Sequence, residues 1–238
     1  MKLGVDQAGF IPDIGANPNL PMYRHCKSDI STAPIPRTTR PGRRLVAPVS
    51  TVLFVPKVQQ EGAASASHMP SESNIPKDKH FTDCPAPGTI VLMQQPEGQV
   101  CALLGDLVAS RLQHRGVAAA VIDGRVRDIA SCGDICDQSD FQVWSKGISA
   151  VGTGLQAKPW AIDISLDVGG IIVQPGDIMV ADEADRGVVV IPKDKFSEVL
   201  ELLPELKQAD DNVLKDVHAG VDLGEAFRRH RGHYTNSK

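Results

Sequence analysis

Six consecutive apolar residues, Val117–Ile122, run straight into Asp123-Gly124-Arg125-Val126-Arg127-Asp128. No polar residue interrupts the run, so it reads as a buried strand that delivers a polar loop to its C-terminal end. Just upstream, Ala102–Arg115 sets Leu103, Leu104, Leu107, Val108 and Leu112 on one helical face, and Gly116 stands where a C-terminal glycine cap belongs. A helix feeding directly into a buried strand points to the α/β class, in which ligand sites collect at the C-terminal ends of strands. Arg127 and Asp128 put a fixed cation and a hard oxygen donor side by side at that end. Such a pair can hold a carboxylate and a divalent metal in one pocket. The plain alternative is a solvated turn after a strand.

The flanking segments extend this unit into one α/β domain with a mixed sheet. Residues 1–44 are rich in Gly, Pro, Ser and Thr and read as an irregular lead-in, and the domain proper spans 45–238. Leu45–Val55 is a β-branched apolar run closed by Pro56; Pro87-Gly88 turns the chain into a second strand, Thr89–Met93. Between them, Gln59–His80 is a long polar stretch, of the kind that is either functional or unstructured. After the central unit come a short helix near Ile129–Cys136, a strand at Phe141–Ser145, and two β-rich pieces, Trp160–Val173 and Ile178–Ile191. Turns are expected at Pro175-Gly176-Asp177 and at Asp185-Arg186-Gly187. From Asp194 the chain reads as helical: a stripe of Phe196, Val199, Leu200, Leu203 and Leu206, then a charged C-terminal helix with Val213, Val217, Val221 and Phe227.

Composition narrows the functional classes. The formal charge is −4 and aromatic residues make up only 4%, so neither a basic field nor stacking platforms invite nucleic acid. The one basic cluster, Arg37–Arg44, lies among prolines and reads as a connector. Five scattered cysteines form no CxxC pair; Cys132 and Cys136 share a helical face but lack partners for a metal site. With no signal-like start and no apolar run long enough for a bilayer, a cytoplasmic, reducing setting is expected and a membrane is not.

Gly105-Asp106-Leu107-Val108 opens the helix that precedes the Arg127-Asp128 strand. With Gly105 at its start, the free amides of the first turn face outward and can bind an anion, with Asp106 at the same mouth. The amides and Arg127 would then take a substrate carboxylate while Asp128 holds the metal. For Asp106 alone, a first-turn acid favoured by the helix dipole is an equal alternative. His114, Trp144 and Trp160 read as structural, and Asp123 as a turn former, with help in organising metal-bound water as its alternative.

The stretch GDLVASRLQHRGVAAAVIDGRVRD resembles the RraA-like family, which holds 4-hydroxy-4-methyl-2-oxoglutarate aldolases and oxaloacetate decarboxylases and was formerly labelled demethylmenaquinone methyltransferase-like. The resemblance continues through Val143–Gly147, Val151–Gly154, Pro175–Asp177, Val180–Asp182 and Gly187–Pro192, and Leu45–Pro56 looks like the family's first long strand. The early part departs from it. The family's opening helix has no counterpart, and only Leu3-Gly4-Val5 and Ala8-Gly9-Phe10 match the segment that follows that helix, implying a shortened N-terminal edge. The long Gln59–His80 insertion looks like the fungal-type branch.

The resemblance implies a β/β/α swivelling-type fold, assembled as trimers or hexamers with sites between subunits. It implies that Arg127 contacts the substrate carboxylate and enolate oxygen, and that Asp128 ligates Mg²⁺ or Mn²⁺. Gly105, Asp106, Leu107 and Val108 would supply substrate-binding amides, and Asp106 an acid near the metal; a neighbouring chain would add a further acid. The expected activity is cleavage of a C–C bond in a small keto acid through a pyruvate enolate, by retro-aldol reaction or decarboxylation. Three other readings stand beside it. One is a non-catalytic regulatory or binding protein, since the family includes a ribonuclease inhibitor; another is a tailoring lyase for a larger keto acid. The third is a Schiff-base aldolase using Lys146 or Lys158, both of which lie in polar stretches.

Overall fold

The apolar run after residue 44 becomes a strand of 13 residues that belongs to two sheets at once. The computed structural model describes residues 9–10, 15–16, 43–58, 69–185 and 187–231. Their elements are β1 (Gly9–Phe10), β2 (Gly15–Ala16), β3 (Arg44–Pro56), β4 (Ile90–Gln94), β5 (Ala102–Leu104), α1 (Asp106–His114), β6 (Ala119–Val126), α2 (Ile129–Gln138) and β7 (Gln142–Ile148). They continue as β8 (Ala157–Ile162), β9 (Leu166–Val168), β10 (Ile171–Val173), β11 (Ile178–Asp182), β12 (Gly187–Ile191), α3 (Phe196–His218) and α4 (Leu223–His230). Two compact units divide the chain, Met1–Lys193 and Asp194–Lys238.

In the first unit the sheet order is β1-β12-β11-β3-β4-β6-β7-β2, with β5 on β6 and β8 on β3. The centre, β3-β4-β6-β7, is parallel; β11, β12, β8 and the two short N-terminal strands join antiparallel. This is the mixed α/β sheet expected. Strand alternation sends the apolar side chains to two cores. On one face Val91, Met93, Ala120, Ile122 and Val143 pack against Ala109 and Leu112 of α1 and Cys132 and Cys136 of α2. On the other, Leu92, Val121 and Trp144 meet Ala161, Leu166, Val173, Met179 and Val188 from the antiparallel strands. A β-layer, a parallel β-layer and a helical layer follow one another. Burial on both faces is why the central strands read as unbroken apolar runs.

Three local expectations change. Ala102–Leu104 is the short strand β5 rather than the first turn of α1, because pairing with β6 claims its backbone. Asp123–Val126 is not loop: β6 continues through it, paired to β5 and β7, and only Arg127 and Asp128 lie beyond the strand. The helical tail is one 23-residue helix carrying Pro204 inside it, so Val213 and Val217 sit on the same helix as the Phe196 stripe, and Phe227 alone lies on α4. Arg186 of the expected second turn, most of the lead-in including Cys26 and residues 37–42, and residues 59–68 of the polar stretch lie outside the described residues.

Residues 69–80 pack on β8: Trp160 Nε1 donates to the Pro70 carbonyl at 2.9 Å, and the Asn74 side chain bonds both the N–H and the C=O of Ile162. Trp144 is fully buried, its Nε1 donating to Gln142 Oε1 at 3.1 Å. In the second unit α4 is N-capped by Asp222 and tied to α3 by Arg229 and His230 on Asp216. Those two donors, His230 foremost, hold the Asp216 carboxyl below the usual range. Among the described residues, no helix is long and apolar enough to cross a membrane.

Candidate active site at the end of the central strand

Past Val126 the backbone N–H of Arg127 donates to the Leu104 carbonyl at 2.9 Å, tying the strand end to the residue before Gly105. Asp128 then adopts φ 56°, ψ 47°, a left-handed conformation that aspartate tolerates better than most residues. That turn starts α2, and Asp128 accepts from Cys132 N with its carbonyl, but its carboxylate makes no capping bond to its own helix. Oδ2 lies 2.7 Å from Arg127 Nη1, yet it is buried and accepts no hydrogen bond.

Opposite it is Gly105, the N-cap of α1, with no side chain to cap the helix. A Cβ on Gly105 would sit 2.6 Å from Asp128 Oδ2 and 3.1 Å from Cγ and Nε of Arg127. A side chain here would displace the Asp128 carboxylate, so close approach and not backbone conformation favours glycine, its φ of −133° suiting any residue. Gly152 flanks the same guanidinium at ordinary contact distance, 3.9 Å from Nε to a built Cβ. The structure thus brings the Gly105 helix start, Arg127 and Asp128 together as expected.

The N–H groups of Gly105, Asp106, Leu107 and Val108 are those of a helix start, which lack intrahelical partners. One is already engaged: Asp106 Oδ1 accepts from Leu107 N at 2.7 Å. Beneath the pair lies Cys132, whose Sγ contacts the Arg127 carbonyl at 3.5 Å. Burial, then the negative charges of its neighbours, pushes this thiol up to about 12, and burial pushes Cys136 to about 11. Both stay protonated and belong to the core. Among the described residues, no group of three or more His, Cys, Asp or Glu side chains converges to hold a metal ion. The carboxylates nearest the helix start are Asp128, against Gly105, and Asp106, which follows Gly105 and has one oxygen on Leu107 N. Such a set suits a hard cation that keeps several waters and binds through one or two carboxylates.

Asp123 stands apart. Its carboxylate pairs with Lys146 Nζ at 2.5 Å and accepts from Gln94 Nε2 at 3.3 Å, so it clamps β4, β6 and β7. Lys158 lies over the Trp160 ring, 4.8 Å from its centroid. Neither lysine has the apolar or cationic setting of a Schiff-base nucleophile.

An open surface depression of about 390 Å³ lies beside the start of α1, lined by His80, Thr82, Asp83, Leu107, Val108 and Arg111. Sequence reasoning missed its first half. Leu107, Val108 and Arg111 share a helix face by their spacing, but nothing local links them to residues 80–83.

A family model described as RraA-like, Aldolase/RraA, matches residues 22–190. Among curated proteins the chain is similar to Protein DlpA of Legionella pneumophila, 24% identical over 78% of this chain and 27% of that protein, so it spans about a quarter of that relative. It is also similar to a Halalkalibacterium halodurans protein named "Putative 4-hydroxy-4-methyl-2-oxoglutarate aldolase", 29% identical over 65% of this chain and 70% of the other. Two solved structures share the fold. An uncharacterized protein from Pseudomonas syringae pv. tomato aligns at TM-score 0.62 and 21% identity, covering 92% of this chain and 84% of its own. Streptomyces coelicolor RraAS2, described as an unusual member of the RNase ES inhibitor RraA protein family, aligns at TM-score 0.59 and 21% identity, covering 87% and 83%.

Proposed function

The chain belongs to the RraA-like family, and on that premise we propose that it is a divalent-metal-dependent lyase that cleaves a small keto acid through a pyruvate enolate. The substrates in view are 4-hydroxy-4-methyl-2-oxoglutarate, by retro-aldol cleavage, and oxaloacetate, by decarboxylation. The observation that carries this reading is the Arg127–Asp128 ion pair, with Asp128 Oδ2 buried, set against the bare helix start at Gly105. One carboxylate, one fixed cation and a helix start lie together where Asp128 approaches Gly105 more closely than a side chain would allow.

The amides of Gly105, Asp106 and Val108, with Arg127, bind and orient the substrate carboxylate. Asp128, assisted by Asp106, would hold Mg²⁺ or Mn²⁺, which when bound supplies Lewis-acid polarisation of the keto group. As the bond beyond C3 breaks, its electron pair moves onto the enolate oxygen, and Arg127 places fixed positive charge there. In the aldol case the C4 hydroxyl proton must leave, and in this reading water near Asp106 would take it. Decarboxylation needs no base at that step, so one site serves both reactions. Proton return to C3 gives pyruvate.

We infer in addition a homotrimer or hexamer. Val58, Val100 and Leu155 are 76%, 49% and 70% exposed, and Gln156, which follows Leu155, accepts from Val100 N with its side chain and from Lys57 N, the residue before Val58, with its carbonyl. This apolar rim lies next to the Gly152 segment beside Arg127, where a second subunit can complete a site poor in acids.

The test is pyruvate release from a panel of keto acids with and without chelator. Chelation should abolish it, and Mg²⁺ or Mn²⁺ should restore it. Full activity in excess chelator, or borohydride trapping of substrate on a lysine, would overturn the proposal. A folded, metal-saturated protein that releases no pyruvate would favour the regulatory role instead.

A further inference from the structure

Strand β6 changes neighbours partway along its length. Through Asp123 it pairs with β4, and from Arg125 it pairs with β5, the three-residue strand that ends just before Gly105. One side chain bridges the change. Gln95, the residue after β4, donates its own N–H to the Asp123 carbonyl at 3.0 Å. Its Oε1 accepts from Arg125 N at 2.9 Å, and its Nε2 donates to the carbonyls of Cys101 at 2.6 Å and Gln99 at 3.2 Å. The side chain crosses over Gly124, where an added Cβ would come 2.6 Å from Gln95 Cβ. β5 itself is weakly laddered: only Ala102↔Arg125 and Leu104↔Val126 pair with β6, with a register shift between them. Ahead of it, both backbone polar groups of the buried Cys101 end on glutamine side chains, the carbonyl on Gln95 and the N–H on Gln156 Oε1 at 3.0 Å.

We propose that Gln95 is a positioning residue, which sets the separation between the Gly105 helix start and the Arg127–Asp128 pair. The inference rests on the reading that those three residues form the site. The connection is short on both sides. Arg125, held by Oε1, lies two residues before Arg127, and Cys101, held by Nε2, lies four before Gly105. The bond from Arg127 N to the Leu104 carbonyl at 2.9 Å closes the ring. Without the amide, Arg125 N–H and the Cys101 carbonyl lose their partner, and they regain one only by moving. Where an added Cβ at Gly105 would already stand 2.6 Å from Asp128 Oδ2, such a movement is felt directly at the carboxylate.

Gln94 supplies the control. Its side chain turns the other way, to Asp123 Oδ2 at 3.3 Å and to the Asp167 carbonyl, so its loss weakens the same strand end without touching β5. The full chain is compared as wild type, Gln95→Ala, Gln95→Glu and Gln94→Ala. The readouts are pyruvate release from oxaloacetate at saturating Mg²⁺, thermal melts and amide hydrogen exchange. Gln95→Glu keeps the acceptor for Arg125 N and removes only the donor, and it carries the test if Gln95→Ala does not fold. Both Gln95 variants should lower kcat about 10- to 100-fold, the effect of misplacing a reacting group by about 1 Å. They should also speed exchange of the Arg127 amide roughly fivefold relative to that of Val121, the worth of one neutral hydrogen bond. Gln94→Ala should melt lower while kcat and the exchange ratio stay at wild-type values. Wild-type kcat in the Gln95 variants, an equal fall in Gln94→Ala, or an unchanged exchange ratio overturns the assignment. Wild-type protein that releases no pyruvate would instead bring down the enolate reading, while the exchange ratio still decides whether Gln95 sets the separation.

Discussion

The closest approach in the site predicts the effect of a single methyl group. In Gly105→Ala the new Cβ starts 2.6 Å from Asp128 Oδ2, while ordinary contact begins at 3.4 Å, so the carboxylate or the helix start must move by about 0.8 Å. Backbone strain is absent, because φ −133° is open to alanine. Alanine caps a helix less well than glycine, at a cost of about 0.5–1 kcal/mol. Local crowding adds about 1–3 kcal/mol, a total that a domain of ordinary stability survives. Catalysis is less tolerant: misplacing a reacting group by about 1 Å can cost roughly 10²-fold. We therefore predict a folded protein whose kcat/KM for pyruvate release falls by about 10- to 100-fold. The control is Gly152→Ala, where the added Cβ meets Arg127 Nε at 3.9 Å and nothing need move. Coupled pyruvate assays and thermal melts on both variants decide the matter. Wild-type kcat/KM in Gly105→Ala, or an equal loss in Gly152→Ala, would refute the reasoning.

Arg127→Ala and Asp128→Ala should each lower turnover about 10²- to 10³-fold with far-ultraviolet spectra unchanged, and undiminished rates at saturating metal would count against their roles. At position 128 the left-handed backbone favours glycine, so Asp128→Gly should melt above Asp128→Ala; the reverse order would deny the strain. Burial raises the Cys132 thiol from 9.0 to about 12 in the folded state. Its contribution to stability is then full below pH 9 and is lost as pH rises towards 12. Melting temperature should fall across that window, and less steeply in Cys132→Ala; identical slopes would exclude the thiol as the cause. The full chain should scatter light as a trimer or hexamer at micromolar concentration, and a monomer that still cleaves keto acids would refute the shared rim.

What could be read before the structure was what neighbours in sequence determine. The Gly116 cap, at φ 79°, and the apolar run of β6 are local signals, and they survived. Ala102–Leu104 misled because Leu103 and Leu104 fit the helical stripe of α1, while the pairing that makes them a strand comes from residues more than twenty positions on. The polar residues of Asp123–Val126 hid a strand because they line its half-buried end, where periodicity carries no apolar signal. The site was legible in its parts. The spacing suggested that Gly105 and Arg127–Asp128 meet, but not that a Cβ there would have to displace the Asp128 carboxylate. His80 and Arg111 share a surface depression through a tertiary contact across 28 residues, Asp83 to Arg111, for which the sequence holds no marker.

The long strand β3 also sets how this unit comes apart. Its first half pairs with β11 and its second with β4, and Val52 and Leu53 are bridged on both sides, to β4 and to β8. One continuous stretch of backbone is thus common property of both β-layers. Neither layer can open alone without tearing hydrogen bonds from the strand that the other still holds. The two should behave as a single cooperative unit, with amide protons of Val52 and Leu53 among the last to exchange and only at the free energy of global opening.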